Sequence, residues 1–211
     1  MEKKETVAAG YPDALRKIGV TGAGRAAMAL SEITNAAVEI DIPEVRLIAA
    51  TQFSTIVSAG EEPGLVLVIV LEGELGGRVF FLLAPREARL LGARLLGMEP
   101  GKVDFEDPLF QNSIKEVLSI IAGAYMAALS ELTGYEVMFS IPYLALDVIT
   151  AAFIAEQTPQ RSADMIFIKT RLKIEETDFD GAFMFFPDMP STGKIFKALR
   201  LAQPAQAAKS V

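Results

Sequence analysis

Two stretches of the chain align with each other without a gap, DALRKIGVTGAGRAAMALSEITNAAVEIDIP (residues 13–43) and NSIKEVLSIIAGAYMAALSELTGYEVMFSIP (residues 112–142). Ten of the 31 columns are identical, and the block A-L-S-E-x-T recurs whole at residues 29–34 and 128–133. The offset is 99 residues, and two copies are too few to form a stacked array of repeats. The sequence therefore predicts an internal duplication with pseudo-two-fold symmetry.

The first copy reads as a helix, several strands and a second helix. Apolar residues at helical spacing predict one buried side on a helix over 13–34. They are Leu15, Ile18, Ala26, Leu30 and Ile33. Pro85 favours a first helical turn and Gly97 a cap, so a shorter helix is predicted over 85–96. Strands are predicted at 38–49, 53–58, 65–72 and 77–83, with a turn at 72–74.

The second copy repeats this order. A helix is predicted over 107–133, and its middle is apolar on nearly all sides, which indicates a central, buried position. The other predictions are a strand at 135–143, an ambiguous segment at 149–156, and a hairpin formed by 165–175 and 181–187. Ser191 or Thr192 is predicted to cap a last helix that ends near Leu201.

These elements predict an α/β fold of the α+β type, with a mainly antiparallel sheet and two long central helices. Small residues at 23, 24, 122 and 123 predict a close crossing of the two helices. One domain is expected over 12–201, with repeat one at about 12–98 and repeat two at about 106–201. Residues 1–11 and 202–211 are expected to form a flexible leader and a flexible tail.

Composition excludes several classes of chemistry. The 211 residues contain no cysteine and no histidine, so disulfides, thiolate sites and Ser-His-Asp catalysis are excluded. The formal net charge is −7 and no long basic stripe is visible, which argues against nucleic acid as a partner. The longest β-type apolar run has seven residues, 65–71, whereas a membrane-spanning helix needs about 20. We expect a cytoplasmic protein that is not inserted in a membrane.

A glycine motif in the first helix imitates a dinucleotide-binding fingerprint. Residues 22–27 read G-x-G-x-x-A, in which glycines would admit a pyrophosphate at a helix N-terminus. The fingerprint needs a strand just before the glycines, yet residues 13–19 have helical spacing. The second copy replaces Gly22 by Ile121 and keeps Gly24 as Gly123. Close helix packing is the preferred interpretation, and a dinucleotide enzyme stays as a remote alternative.

The duplicated segment resembles the CheC family of CheY-phosphate phosphatases, which includes CheC, CheX and FliY. That family carries in each half an acidic residue or Ser, then Glu four residues on, Asn three further and Pro 23 later. The first frame in this chain is Asp13, Lys17, Val20 and Pro43. The second frame is Asn112, Glu116, Ser119 and Pro142, with the same spacing. The text KIGVTGAGRAAMALS also resembles the family's E-I-G-N-I-G-A-G-N-A-x-x-A-L-S.

The resemblance implies a partner and a reaction. In the family, the helix face that carries the motif meets a phosphorylated receiver domain of the CheY type. The Asn carboxamide orients water for attack on the aspartyl phosphate, and the Glu engages the receiver's lysine. The receiver supplies Mg²⁺, so no metal or other cofactor of the chain's own is expected. Such catalysis relies on positioning and electrostatics, which suits a chain without His or Cys.

The two frames depart unequally from the family pattern. Lys17 and Val20 replace the Glu and Asn of the first site, so that site is predicted to be inactive. The second site keeps Glu116 but has Ser119, whose hydroxyl is shorter than a carboxamide. Glu116 and Ser119 are therefore the candidate catalytic residues of a weak phosphatase. Glu116 as a solvated helix charge, and Pro43 and Pro142 as purely structural residues, stay open as alternatives.

A second hypothesis is a protein without catalytic activity. Relatives in the flagellar switch keep the fold and lose the Glu and Asn, and CheC-class proteins also bind the receptor deamidase CheD. The loss of Asn at both Val20 and Ser119 favours such an adaptor. The expected partners are thus a phosphorylated CheY-like receiver and, in the alternative, a receiver or CheD.

Overall fold

The computed structural model describes residues 11–49, 64–147 and 164–202. The helices are α1 (Tyr11–Thr34), α2 (Pro85–Leu96), α3 (Pro108–Thr133) and α4 (Met189–Ala202), with a short 3-10 turn at Pro100–Lys102. The strands are β1 (Val38–Ala49), β2 (Gly64–Gly73), β3 (Gly77–Leu83), β4 (Val137–Phe139), β5 (Tyr143–Asp147), β6 (Asp164–Ile174) and β7 (Thr177–Pro187). The strand predicted at 53–58 and the ambiguous segment at 149–156 lie outside the described residues.

The seven strands form one sheet in the order β1-β6-β7-β3-β2-β4, and β5 pairs with the same side of β2 as β4. All of the pairings among the described strands are antiparallel. Exchanging β1 with the β4–β5 pair, β2 with β6 and β3 with β7 reverses this order and leaves it otherwise unchanged. If the two copies are related by a two-fold axis, the strand order must read the same from either edge of the sheet once equivalent strands are exchanged, as it does here.

The core lies between the helices and one face of the sheet. Leu65 and Leu67 of β2 join the cluster that contains α1 and α3, while Val66 and Val68 belong to a second cluster that includes Phe80. Because successive side chains of a strand point to opposite faces, β2 is buried on both sides. This double burial accounts for the continuous apolar run in the sequence.

Helix α3 is the central element. Ile114, Ile121 and Leu129 are among its fully buried residues, and the helix packs against α1. By length and composition it also qualifies as a candidate membrane span, with half of its most apolar 18-residue window buried inside the protein. Glycine and alanine interrupt the run of large apolar residues in this helix. Counting unbroken apolar runs in the sequence therefore did not identify it as a candidate membrane span. The burial agrees with the predicted role of a core helix.

The ends of several elements agree with the predictions. The bounds of β1, β3 and α2 are those predicted, and Gly97 caps α2 in the left-handed conformation with φ 64°. Asp107 caps α3, since its carboxylate accepts a hydrogen bond from Leu109 N at 2.8 Å. These ends were predictable because they depend on local chemistry, namely a Pro in the first turn and a capping Gly or Asp.

The strand predicted at 135–143 is broken in two. The Ser140 amide donates to the Val70 carbonyl at 2.9 Å, while the Ser140 hydroxyl accepts from the Val70 amide at 3.1 Å. The hydroxyl thus replaces the backbone carbonyl that a regular ladder would use. Pro142 has no amide proton to donate, so pairing resumes only in β5.

Three smaller predictions were also wrong. Asp188 caps α4 by accepting from the Ser191 amide at 2.8 Å, and the buried Ser191 hydroxyl instead accepts from the Gly76 amide at 2.7 Å. Thr192 lies inside the helix. Ile33, in the last turn of α1, is 61% exposed and not on the buried side of the helix. The turn predicted at 72–74 falls at 74–76, since β2 continues to Gly73 in order to pair with β4.

Candidate functional site

The first motif frame lies on the outer face of α1. Asp13, Lys17 and Val20 occupy positions i, i+4 and i+7, and all three side chains are exposed, Val20 by 53%. The frame therefore forms a continuous surface stripe. Its chemistry is that of one carboxylate, one ammonium group and one apolar side chain, and none of these is a carboxamide.

The second frame lies on α3, where its members are less alike. Asn112 and Glu116 line one surface, one helical turn apart. Ser119 is half-buried, and its hydroxyl donates to the Lys115 carbonyl at 2.6 Å. That bond turns the hydroxyl back along the helix, a common arrangement for a serine inside a helix. The structure brings Glu116 and Asn112 to one surface but gives Ser119 an internal partner.

A groove of about 720 Å³ opens beside Glu116. Its walls come from the last turns of α1 and α2, the first half of α3 and the end of β6. Asn112, Ser113 and Glu116 line it, and Ser119 does not. The concave surface therefore extends from Glu116 toward the N-terminal end of α3.

Arg94 supplies a positive charge at the α2 wall of the groove. Its Nη2 lies 2.7 Å from Glu175 Oε1, so this cation is already paired. Its Nε is buried and has no hydrogen-bond partner among the described residues. No salt bridge within the described ranges includes Glu116, which leaves this carboxylate available for a cation from a partner.

The motif prolines interrupt strands at equivalent positions. Pro43 lies where the register between β1 and β6 shifts, between Asp41 and Glu44, and Pro142 lies between β4 and β5. Asp41 and Ser140, which are 99 residues apart, both bond backbone amides with their side chains there, Asp41 to the Ile42 amide at 2.8 Å. Neither proline lines the groove. The structure gives both a structural position at the sheet edges, where proline is tolerated.

The glycine motif of the first helix lies within α1, which is continuous from Tyr11 to Thr34. A dinucleotide fingerprint needs a strand and a turn before the glycines, so that free amides face the pyrophosphate. Here the amides of Gly22 and Gly24 belong to a helix interior, where they are already bonded. The glycines therefore do not form a dinucleotide fingerprint, and the dinucleotide alternative loses the motif on which it rested.

The two central helices cross near the predicted positions, but the residues in closest contact differ from those predicted. Ala23 and Ala122 are buried as predicted, whereas Gly24 and Gly123 have open space where a Cβ would lie. The close approach is at Gly22, against Tyr125. Across the outer side of the crossing, Arg25 of α1 forms an exposed ion pair with Glu131 of α3.

Two parts of the site were missed by sequence reasoning. The α2 wall of the groove, at residues 94–97, comes from a segment that the motif does not include. Asn112 was recognised as a member of the frame but was not assigned a chemical role. Its signal was present in the sequence, because a carboxamide stands where the family has an acidic residue or Ser. Among the residues that the structure describes, no group of three or more Asp, Glu, His or Cys side chains is arranged to hold a metal ion.

No family model matches the chain. Over 194 residues the chain is 26% identical to the CheY-P phosphatase CheC of Bacillus subtilis (strain 168), an alignment that spans 89% of this chain and 92% of that protein. Its fold matches the crystal structure of Thermotoga maritima FliY with a TM-score of 0.71 and 17% identity, covering 96% of this chain and 100% of that one. A chain of the FliG–FliM complex from H. pylori matches with a TM-score of 0.64 and 15% identity, covering 88% and 96%. The chain is thus similar to a CheC protein over most of its length, and its fold is the one shared by FliY and FliM.

Proposed function

We propose that the chain binds a phosphorylated CheY-like receiver domain and weakly accelerates the hydrolysis of its aspartyl phosphate at the second site, on α3. The observation that carries this proposal is Glu116, which keeps the family's position and lies at the edge of a groove. The similarity to the Bacillus subtilis CheC phosphatase over most of both chains supports the reaction class.

The hydrolysis asks little covalent chemistry of this chain. The oxygen of a water molecule forms a bond to phosphorus while the bond from phosphorus to the aspartyl oxygen breaks. The carboxylate leaves with the electron pair, and the water's proton passes to the inorganic phosphate. The receiver would supply a Mg²⁺ ion to balance the phosphoryl charge, so the tasks left to α3 are to position the receiver and to orient the water.

Glu116 is suited to the positioning task. Its carboxylate borders the groove and has no cationic partner among the described residues, so an incoming lysine of the receiver can pair with it. Part of that pair becomes desolvated when the receiver covers the groove, which strengthens a charge-assisted hydrogen bond. On α1 the equivalent residue is Lys17, which would repel the same lysine. The asymmetry favours an activity on α3 alone.

The test is the rate of phosphate loss from a phosphorylated CheY-type receiver, with and without the purified chain. We expect acceleration by the wild type, and in Glu116→Ala a rate close to the receiver's own. Glu32→Ala is the control, because Glu32 is an exposed helical glutamate that does not line the groove. If the wild type gives no acceleration, or if Glu116→Ala accelerates as well as the wild type, the phosphatase proposal fails.

The alternative is an adaptor that binds without catalysis. It is favoured by the absence of a carboxamide at Val20 and at Ser119, the two positions where the family has Asn. The fold likeness to a chain of the FliG–FliM complex fits a binding role in chemotaxis or motility. Titration against the phosphorylated receiver and against CheD distinguishes the two proposals. An adaptor binds at least one of them while phosphate loss stays at the receiver's own rate.

The proposed partners also indicate where the protein works. A receiver of the CheY type is a cytoplasmic protein, so we place this chain in the cytoplasm. Burial of half of the apolar window of α3 and its packing against α1 support a core helix, not a membrane anchor. The net charge of −7 does not favour nucleic acid as a ligand.

A further inference from the structure

We propose that Asn112, and not Ser119, supplies the side chain that orients the attacking water. This inference rests on the phosphatase function proposed above and assigns the group that the family's Asn provides. In the family the carboxamide lies three residues after the Glu. In this chain the proposed carboxamide, that of Asn112, lies four residues before Glu116. Three observations on α3 lead to this assignment.

The first observation is the state of Ser119. Its hydroxyl proton is donated to the Lys115 carbonyl at 2.6 Å, within the same helix. The side chain is half-buried and does not line the groove. To meet a water on a docked phosphoryl group, the hydroxyl would have to rotate away from this bond, and it is also shorter than a carboxamide. Ser119 is therefore poorly placed to orient water.

The second observation is the state of Asn112. Its side chain is exposed and lines the groove. Neither hydrogen bonds nor other polar contacts hold this carboxamide among the residues described. A carboxamide offers one acceptor oxygen and two N–H donors, so it can hold a water and contact a phosphoryl oxygen at once.

The third observation is the spacing along the helix. Residues three or four apart on a helix surface have Cβ atoms about 5–6 Å from each other. The pair of Glu116 and Asn112 thus has nearly the same separation as the family's Glu and Asn, but in the reverse direction along α3. The groove extends from Glu116 in this same direction. The receiver's phosphoryl group is then expected over the groove, toward the N-terminal end of α3.

The chemical step is the one described for the hydrolysis, with one assignment added. The Asn112 carboxamide oxygen accepts a hydrogen bond from the attacking water and aims the water's lone pair at phosphorus. No proton is transferred to Asn112, because a carboxamide is a very weak base. The residue therefore contributes orientation, and its removal should lower kcat more than it changes KM for the phosphorylated receiver.

The experiment compares phosphate loss at several concentrations of phosphorylated receiver for the wild type, Asn112→Ala, Asn112→Gln and Ser119→Ala. We expect Asn112→Ala to lower kcat at least about tenfold, toward the receiver's own rate, with KM changed less than about threefold. Asn112→Gln keeps the carboxamide and should retain more activity than Asn112→Ala. Ser119→Ala should lose less activity than Asn112→Ala. Gln111→Ala is the control, because it removes an amide from the adjacent position outside the groove. Alanine at the exposed position 112 favours the helix, so the variant should fold.

The outcomes separate this inference from the function on which it rests. If the wild type accelerates phosphate loss and Asn112→Ala does so equally well, the assignment of Asn112 is wrong while the phosphatase function stands. A greater loss in Ser119→Ala than in Asn112→Ala also overturns the assignment, in favour of the family's register. A wild type without any acceleration overturns both proposals.

Discussion

Tyr125 of α3 lies directly against Gly22 of α1. A Cβ at position 22 would lie 2.8 Å from the Tyr125 Cα and would overlap its ring. The ring of Tyr125 also packs edge-on against Phe183 of β7 at 4.8 Å, and its hydroxyl lies 2.9 Å from Thr170 Oγ1 of β6. One fully buried side chain therefore joins both central helices to the sheet.

Gly22→Ala is expected to destabilise the protein. The added methyl group would meet the backbone of Tyr125, which cannot move without shifting α3. Overpacking of this kind costs about 1–3 kcal/mol, whereas alanine gains about 1 kcal/mol in helix propensity, so a net loss of up to about 2 kcal/mol is expected. Urea unfolding measures the difference.

The matched control for that variant is Gly24→Ala. Gly24 lies two residues further along the same helix, is exposed, and has open space on the side where an added methyl group would lie. This change should stabilise the protein by about 0.5–1 kcal/mol, because only the propensity gain remains. Equal effects of the two substitutions, in either direction, would contradict the packing assigned to Gly22.

The stability of the protein is expected to fall at high pH because of Tyr125. Burial raises the pKa of the Tyr125 hydroxyl well above its ordinary value, and the hydrogen bond with Thr170 lowers it only in part. The folded state thus keeps its proton where the unfolded state, with a pKa of about 10, releases it. The stability that the protonated Tyr125 contributes is fully present below about pH 10. It is lost as the pH rises further, by at most about 1.4 kcal/mol per pH unit.

Tyr125→Phe isolates this dependence on pH. Near pH 7 the variant should be less stable by about 1–3 kcal/mol, since Thr170, which is 1% exposed, loses its partner. Above pH 10 the gap between variant and wild type should narrow, because the variant has no phenol to ionise. Denaturant unfolding at about pH 7, 9, 10 and 11 measures the gap. A gap that stays constant would show that the tyrosine ionises equally in both states.

The sequence predicted the elements better than their contacts. Comparison of the two copies drew attention to Gly24 because the second copy keeps it as Gly123, yet both glycines face open space. The glycine that packing requires is Gly22, and its need arises from Tyr125, whose counterpart in the first copy is Ala26. A small residue on one helix thus compensates a large one on the other. Such compensation is not symmetric, so an alignment of the copies cannot reveal it.

The candidate site was predictable only along its own helix. Spacing placed Glu116 and Asn112 on one face of α3 because helical geometry is local. The groove depends on the ends of α1, α2 and β6, which are distant in sequence and meet only through the fold. The direction of the Ser119 hydroxyl was likewise unpredictable, because a helical serine can face solvent or bond the preceding turn.

The first site is expected to gain activity when its family residues are restored. Lys17→Glu and Val20→Asn change two exposed side chains on α1, so the fold should tolerate both. The double change is best made in the Glu116→Ala background, where the site on α3 is disabled. Phosphate loss from the receiver should then rise at least about tenfold above that background. Lys17→Gln with Val20→Ser is the control, since it removes the ammonium and the apolar group without creating the Glu–Asn pair. If the restored variant matches this control, the helix face of α1 lacks some other part of a phosphatase site.

Ser119→Asn tests whether the second site still accepts the family's register. The carboxamide extends farther from the helix than the hydroxyl and has no need of the bond to the Lys115 carbonyl, so it can reach a water on the docked receiver. We expect a rise in kcat for phosphate loss of about tenfold, with the affinity for the phosphorylated receiver nearly unchanged.

Ser113→Asn is a useful comparison, because Ser113 makes the same kind of bond, to the Leu109 carbonyl at 2.8 Å, one position after Asn112. If kcat rises in Ser119→Asn but not in Ser113→Asn, the receiver can also dock in the family's orientation. No gain in Ser119→Asn, combined with a large loss in Asn112→Ala, indicates that the receiver is bound only in the reversed orientation, with its phosphoryl group over the groove.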